Sequence, residues 1–398
     1  MSGRQESARP RLAGLLGLAR VSVATGRANI CGRLREWLND GPVYMKILIL
    51  IAILTAAAPA LAQDESFTIG AIDFYGRDGI HIDLIRAALP LREGDQLSRA
   101  SKARMVRRVK KAIRQATGRE VSDVAPVCCD NRGRLIVYIG LRGKSVGQTL
   151  YNPSPHGSAR LPPAALKIYR DIEKALLNAI EKGVSGEDDS RGYALSLDPG
   201  TRTKQLALRG YVTRHSPIVM RVLTSARNVE HRQIAAEMLG YADRSPEQIA
   251  ALIHASHDVD DGVRNNAIRA LVVLARSSPE ASASIPGECF VGLLNSGLWT
   301  DRNKSAELLS VLTARRDPTL LTCLHEQALT SLIEMARWSF AGHAQSARLM
   351  LGRIAGIDEK TLIGMVERKE VEPIINALMT QQSNGEDAKR FPLCKALK

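Results

Sequence analysis

The feature that most constrains this chain is a three-residue register that recurs along its C-terminal half. Within the stretch Asp258–Ala275, residues Arg264, Ala267 and Leu271 are spaced i, i+3, i+7. On a helix that spacing falls along one face. The same template stands at Arg232, Ala235 and Leu239, and again at Arg302, Ser305 and Leu309. A weaker copy, Ala344, Ala347 and Leu351, lacks the arginine. The successive offsets are 32, 38 and 42 residues. Each copy supplies a small residue where two helices must approach closely and a leucine four residues on to fill the space beside it. One helical hairpin cannot bury such a face alone. Stacked hairpins can, so a recurring period of this length predicts a helical array.

The register over residues 229–313 resembles that of HEAT repeats, whose period runs about 40–47 residues. The first offset is shorter than that. The resemblance implies an α-solenoid with helix pairs over about 200–226, 229–256, 261–296, 300–336 and 342–367, and a cap at 371–380. It also implies a long surface suited to binding rather than to turnover. An irregular helical bundle is the plainer reading of the same residues.

The N-terminal third reads differently. Residues 1–44 carry Gly, Ser and Arg with a short apolar patch at Leu12–Ala19. Met45-Lys46 then opens the apolar run Ile47–Leu54, which ends in the small-residue box Ala60-Leu61-Ala62. That is the pattern of a secretory signal peptide. The apolar run falls short of the ~20 residues a membrane span needs. The expectation is an exported protein, periplasmic or in the cell envelope, with its signal at 45–62 and residues 1–44 as a start-site artefact or extension. An uncleaved anchor is the alternative.

Residues 67–142 spell a small α+β unit. Phe67–Tyr75 is β-rich, with Phe67, Ile69 and Ala71 on one side and Ile72 and Phe74 on the other after a register break. Ile82, Ile85, Ala88 and Leu89 fit one helix face. Arg99–Thr117 predicts a second helix with Val106, Val109, Ile113 and Ala116 facing the core, ended by Gly118. Two strands, Glu120–Val127 and Arg134–Arg142, are joined through Asn131-Arg132-Gly133, a hairpin signal. The order β-α-α-β-β, with Ile72–Gly76, Ala87–Leu91, Glu93-Gly94-Asp95 and Arg134–Ile139, resembles a POTRA domain, a module of cell-envelope proteins. The resemblance implies a binding mode in which an extended peptide adds a strand to the sheet edge. It implies no barrel-assembly role here, because the chain continues into helices.

Residues 143–162 are rich in Gly, Ser, Asn and Pro and predict a linker that few contacts cross. Pro162-Pro163 opens a helix over Leu166–Glu181. The tail at 381–398 is polar. The 398 residues, at a formal charge of +14, thus divide into a small α+β domain and a larger helical one.

Three groups of residues bear on chemistry. His254, His257, Asp258, Asp260 and Asp261 are metal-ligand types, but they fall at a turn where Asp caps helix starts and where Arg264 can pair with a neighbouring Asp. The spacing expected of a structural metal site is missing, so neither a metal nor a cofactor is expected. Five cysteines follow residue 62. Vicinal Cys128 and Cys129 on a strand point to opposite faces and would not bridge easily, whereas Cys289 and Cys323 fall within reach of each other. Arg104, Arg107, Arg108 and Lys111 form a basic helix face and are the candidate binding residues; a solvated outer face is the alternative. The sequence holds no Gly-x-Ser-x-Gly, P-loop or Gly-x-Gly-x-x-Gly, so no catalytic residues are assigned. The expected function is a scaffold or adaptor that binds proteins or extended peptides through the helical surface and the sheet edge; the alternative is a cell-envelope biogenesis factor that captures extended polypeptide by strand addition. An anionic membrane surface is a further candidate partner, and nucleic acid is not expected.

Overall fold

The computed structural model describes residues 66–383 except 99 and 148. The signal-peptide pattern, residues 1–44 and most of the polar tail lie outside the described residues. The chain is mostly helical, with a small sheet region ahead of the helical part.

The sheet is built from β1 (Ser66–Tyr75), β2 (Gln96–Ser98), β3 (Val121–Val127) and β4 (Leu135–Leu141), in the order β2-β1-β4-β3. Strands β1 and β4 pair in parallel, and both outer pairings are antiparallel. The short β2 lies between the two helices, where the expected order β-α-α-β-β has no strand. The register break expected in β1 falls at Gly70, between Ile69 and Ala71. A Cβ there would lie 2.8 Å from both the Arg134 Cβ and the Asp130 carboxylate, so glycine fits the bulge. The bulge also resorts the faces. Ile69, Ile72 and Phe74 look to one side, while Ala71 joins Tyr75 on the other.

Helices α1 (Ile82–Ala88) and α2 (Lys102–Thr117) cover the first of these faces. Gly118, left-handed at φ 68°, ends α2 as the sequence suggests. The buried stripe of α2 is Met105, Val109 and Ile113, not the expected Val106, Val109, Ile113 and Ala116. The helix is rotated by part of a turn: Val106 is only half-buried and Ala116 is exposed.

After an irregular stretch come α3 (Pro163–Glu181), a hairpin of β5 (Glu187–Asp188) and β6 (Leu195–Ser196), and α4 (Pro199–Ser225), which is kinked at His215 just ahead of Pro217. Then follow α5 (Val229–Leu239), α6 (Pro246–Ala255), α7 (Asp261–Ser277), α8 (Pro279–Ser284), α9 (Glu288–Val291), α10 (Trp299–Leu312), α11 (Pro318–Ala336), α12 (Ala341–Ile354), α13 (Glu359–Glu367) and α14 (Val371–Ser383). Four starts share one local cause. Asp198, Ser245, Ser278 and Asp317 each accept a backbone N–H of the first turn, and proline follows each of them. The cap satisfies an orphan donor, and proline there loses no helical hydrogen bond.

Helices α5, α7, α10 and α12 pack one on the next. Their facing residues are those of the register. Ala235, Ala267, Ser305 and Ala347, and Leu239, Leu271, Leu309 and Leu351, have no solvent exposure. The second face of the sheet does not stand apart from this core. Tyr75, Ile136 and Tyr138 are buried in the same apolar cluster as the helices.

Candidate functional site: the two ends of the stacked helices

Arg232, Arg264 and Arg302 are among the most deeply buried side chains of the protein, each at 0% exposure. They lie in the first turns of α5, α7 and α10. Arg232 donates from Nε and Nη2 to both Asp258 oxygens, at 2.8 and 2.9 Å. Arg264 makes the same fork to Asp301, at 2.8 and 3.0 Å. Arg302 donates to Glu334 at 3.3 Å and to the Ser296 carbonyl at 2.7 Å. Arg232 and Arg264 thus reach forward to a carboxylate at the start of the following pair, whereas Arg302 bonds Glu334 on the second helix of its own pair. The pairing expected within one turn, Arg264 with a nearby Asp, is replaced by a link to Asp301 of the next unit. Buried guanidinium requires such partners, because an unpaired charge there is very costly.

The remaining residues of the His/Asp cluster are accounted for similarly. Asp260 caps α7 through the Val263 N–H. His257 Nε2 lies 3.0 Å from the Cys289 carbonyl, and His254 lies beside Asn152.

The stretch expected to be a linker runs across this end of the stack. Gly147 N–H donates to the Asn295 carbonyl (3.1 Å), Asn152 to His257 (2.7 Å), Gly157 to Ser225 (2.8 Å) and Leu161 to His231 Nδ1 (2.8 Å). From Gly147 to Gly157 it passes the helix pairs in reverse order. The Arg264 guanidinium lies over the Tyr151 ring, 4.0 Å from its centre, and the Tyr151 hydroxyl donates to Asp301 at 2.9 Å. The expectation that few contacts cross residues 143–162 is therefore corrected. The reason is that the N-terminal ends of the helices leave turn carbonyls and ladder carboxylates that only a closely laid backbone can reach.

The sheet domain closes the upper part of the same end. Glu334 accepts the Gly76 N–H at 2.7 Å and the Arg77 N–H at 2.9 Å, besides Arg302. Asp73 accepts both the backbone N–H and the hydroxyl of Ser339, and burial raises its carboxyl above the ordinary range. Asp123 accepts from Tyr75 Oη and the Trp299 N–H. Tyr138 stacks on Trp299 with ring centres 5.2 Å apart, and its hydroxyl lies 2.7 Å from His343 Nδ1. Burial pushes the His343 imidazole down to about 4, with Lys304 adding to the effect.

Two cavities form between the segment Glu187–Ala194 and the stacked helices. One, of about 250 Å³, is lined by Leu176, Glu187, Glu237, Tyr241 and Arg269 among others. Burial raises the Glu237 carboxyl. Each ionisable group here is held by a neighbour: Glu237 accepts from Tyr169 at 2.9 Å, Arg269 pairs with Glu187, and Tyr241 donates to the Ala194 carbonyl. The second cavity, of about 320 Å³, lies by the C-terminal ends of α5 and α7 and is lined by Arg191, Tyr193, Arg209, Arg244 and Ser277.

Arg104, Arg107, Arg108 and Lys111 all sit exposed on α2. They share a surface with Lys102, Lys110 and Arg114 but approach neither cavity. Of these seven cations only Arg114 has an ion pair among the described residues, with Glu120. The arginines of the second cavity escaped sequence reading because they come from three separate segments. The one local signal was Arg191-Gly192-Tyr193 following an acidic loop.

Two cysteine expectations are also corrected. Cys128 and Cys129 form a vicinal disulfide; they lie just past the end of β3, where the alternation argument does not apply. Cys289 is a free thiol, so it does not bridge Cys323.

No family model matches this chain, and no curated protein matches it. Among solved structures, the crystal structure of an engineered protein is 18% identical, over 56% of this chain and 94% of that one, with a TM-score of 0.33. That similarity is too slight to assign a fold.

Proposed function

We propose that the protein is an exported, non-catalytic scaffold whose helical part is a HEAT-type α-solenoid and whose sheet domain is POTRA-like. The solenoid reading rests on the complete burial of the recurring register and on the forward links that Arg232 and Arg264 make from one pair to the next. The binding reading rests on one observation. Helix α2 carries seven cations and no acidic residue, its apolar stripe is spent on the sheet, and its charged face is turned outward. A face of that kind attracts acidic surfaces. Arg104, Arg107, Arg108 and Lys111 form its centre, and the partner is an acidic protein surface.

Capture of extended polypeptide by strand addition has less support. Strand β1 lies inside the sheet, and beyond Thr68 its outer edge is occupied: Glu93 accepts the Ile72 N–H, and the Ile69 N–H donates to the Asp95 carbonyl. The edge strand β3 contains Pro126, which cannot donate to an added strand.

Charge reversal at all four positions (R104E, R107E, R108E, K111E) in the full chain tests the proposal. Chemical cross-linking in an envelope fraction should yield acidic proteins with the parent chain and lose them with the variant. An unchanged set of cross-linked proteins refutes the assignment of α2. Retained protein partners with lost sedimentation on anionic vesicles would make that face a membrane contact instead.

A further inference from the structure

The cavity at the C-terminal ends of α5 and α7 has the composition of an anion site. Its floor is the buried ring of Tyr193. The Arg209 guanidinium lies 4.3 Å from the centre of that ring and Arg191 lies 5.4 Å from it. Arg209 is fixed in place: Nη1 donates to the Tyr241 carbonyl at 2.9 Å and to the Ala242 carbonyl at 3.3 Å, and Nη2 donates to Asp243 at 2.7 Å. Arg244 comes from the turn between α5 and α6. Arg191 and Arg244 have no hydrogen bond or ion pair within the described residues, and both are exposed at the rim.

Asp243 offsets the charge of Arg209, while Arg191 and Arg244 have no ion pair among the described residues. No carboxylate lines the cavity. Asp243 is engaged by Arg209, and Asp189 lies toward Arg276 at 3.6 Å. Glu280, which feels the Arg244 charge, is bonded to the Ser278 hydroxyl. Three guanidinium groups therefore converge on one concave space, one held rigid and two at the mouth. The planar fork of arginine matches the oxygens of phosphate, and a second and third arginine add charge where a single neutral donor could not. At about 320 Å³, the space is at the small end of ligand-site volumes, about 300–1,000 Å³. It exceeds what one phosphate group fills.

We propose that this cavity binds a phosphate-bearing small molecule through Arg191, Arg209 and Arg244, with Tyr193 supporting the two arginines that flank it. The same chemistry would serve a soluble phosphate ester and a phospholipid headgroup. No residue of α2 lines the cavity, so the site is independent of the scaffold reading.

Isothermal titration of the full chain with inorganic pyrophosphate, in sulfate-free buffer of fixed ionic strength, tests it. The double variant R191A/R244A removes only exposed rim groups, so folding should be retained, which circular dichroism verifies. Its affinity for pyrophosphate should fall at least tenfold, whereas the charge-matched double variant R315A/K360A, at two exposed cations outside both the cavity and α2, should bind as the parent does. Equal weakening in both doubles would show attraction by net charge alone and overturn the site, as would no binding by the parent in either arm. The second arm uses vesicles containing phosphatidic acid: selective loss of vesicle binding in R191A/R244A, with no pyrophosphate binding by the parent, assigns the site to a lipid headgroup.

Discussion

Arg264 illustrates how much rests on single side chains in this protein. Its guanidinium makes a fork to Asp301, donates to the carbonyls of Asp258 and Val259, and is covered by the Tyr151 ring. Removing it by Arg264→Ala leaves the Asp301 carboxylate buried without its main counter-charge. Loss of one partner from a buried pair typically costs about 3–5 kcal/mol, and chemical denaturation should report a loss of that order. Replacing both partners with apolar residues, Arg264→Met with Asp301→Leu, should cost less than the single change. If the double variant is the less stable of the two, the pair is a net stabiliser beyond its own desolvation. Leu271→Ala, at a site with no exposure, should cost about 2–5 kcal/mol. The positions of these residues were legible in the sequence, because a small–large spacing repeated on successive helix faces is what stacked helices require. Their partners were not. Asp301 is 37 residues from Arg264, and nothing local distinguishes it from the nearer Asp258 or Asp260.

Among the elements, the strap at 143–162 was the hardest to read. It lacks apolar periodicity, and periodicity is what sequence reading detects; its contacts are made by backbone groups, which every residue carries. Gly157 is the point where it lies closest. A Cβ there would sit 2.4 Å from the Ser225 carbonyl oxygen. Gly157→Ala should therefore lift the strap from the turn between α4 and α5. The readout is limited proteolysis, with faster cleavage between residues 147 and 161 than in the parent. Helix α2 was read almost correctly: its length and its glycine stop follow from local rules. Its rotation was set by which residues the sheet could accept, and that is a tertiary effect.

For the whole molecule, the sequence suggested two units joined by a spacer, whereas the sheet domain shares its second face with the helices. An isolated 63–143 fragment would expose Tyr75, Ile136 and Tyr138 together. It should bind a hydrophobic dye strongly where the full chain does not, and independent folding of the fragment without dye binding would restore the two-unit reading. The same interface sets a pH response. His343 titrates near 6.5 when unfolded and at about 4 when folded, so the unfolded chain binds the extra proton between those values. Stability should be full above about pH 6.5 and fall as pH drops toward 4. The raised carboxyl of Asp73 works in the opposite sense. Thermal melts of His343→Gln should show a shallower loss over this range than the parent. An unchanged slope would move the response to other groups.

The docking of Tyr138 against His343 spans 205 residues of chain. Synthesis proceeds from the N-terminus at about 5–20 residues per second, so the sheet domain is complete about 10–40 s before its cover exists. During that interval the Tyr75 and Tyr138 face is bare and the strap has no turns to lie on. The order of manufacture is thus the reverse of the order of support: the first-made domain is the last to be finished. A ribosome-stalled chain ending before residue 299 should be far more susceptible to protease in the sheet domain than one ending after residue 354.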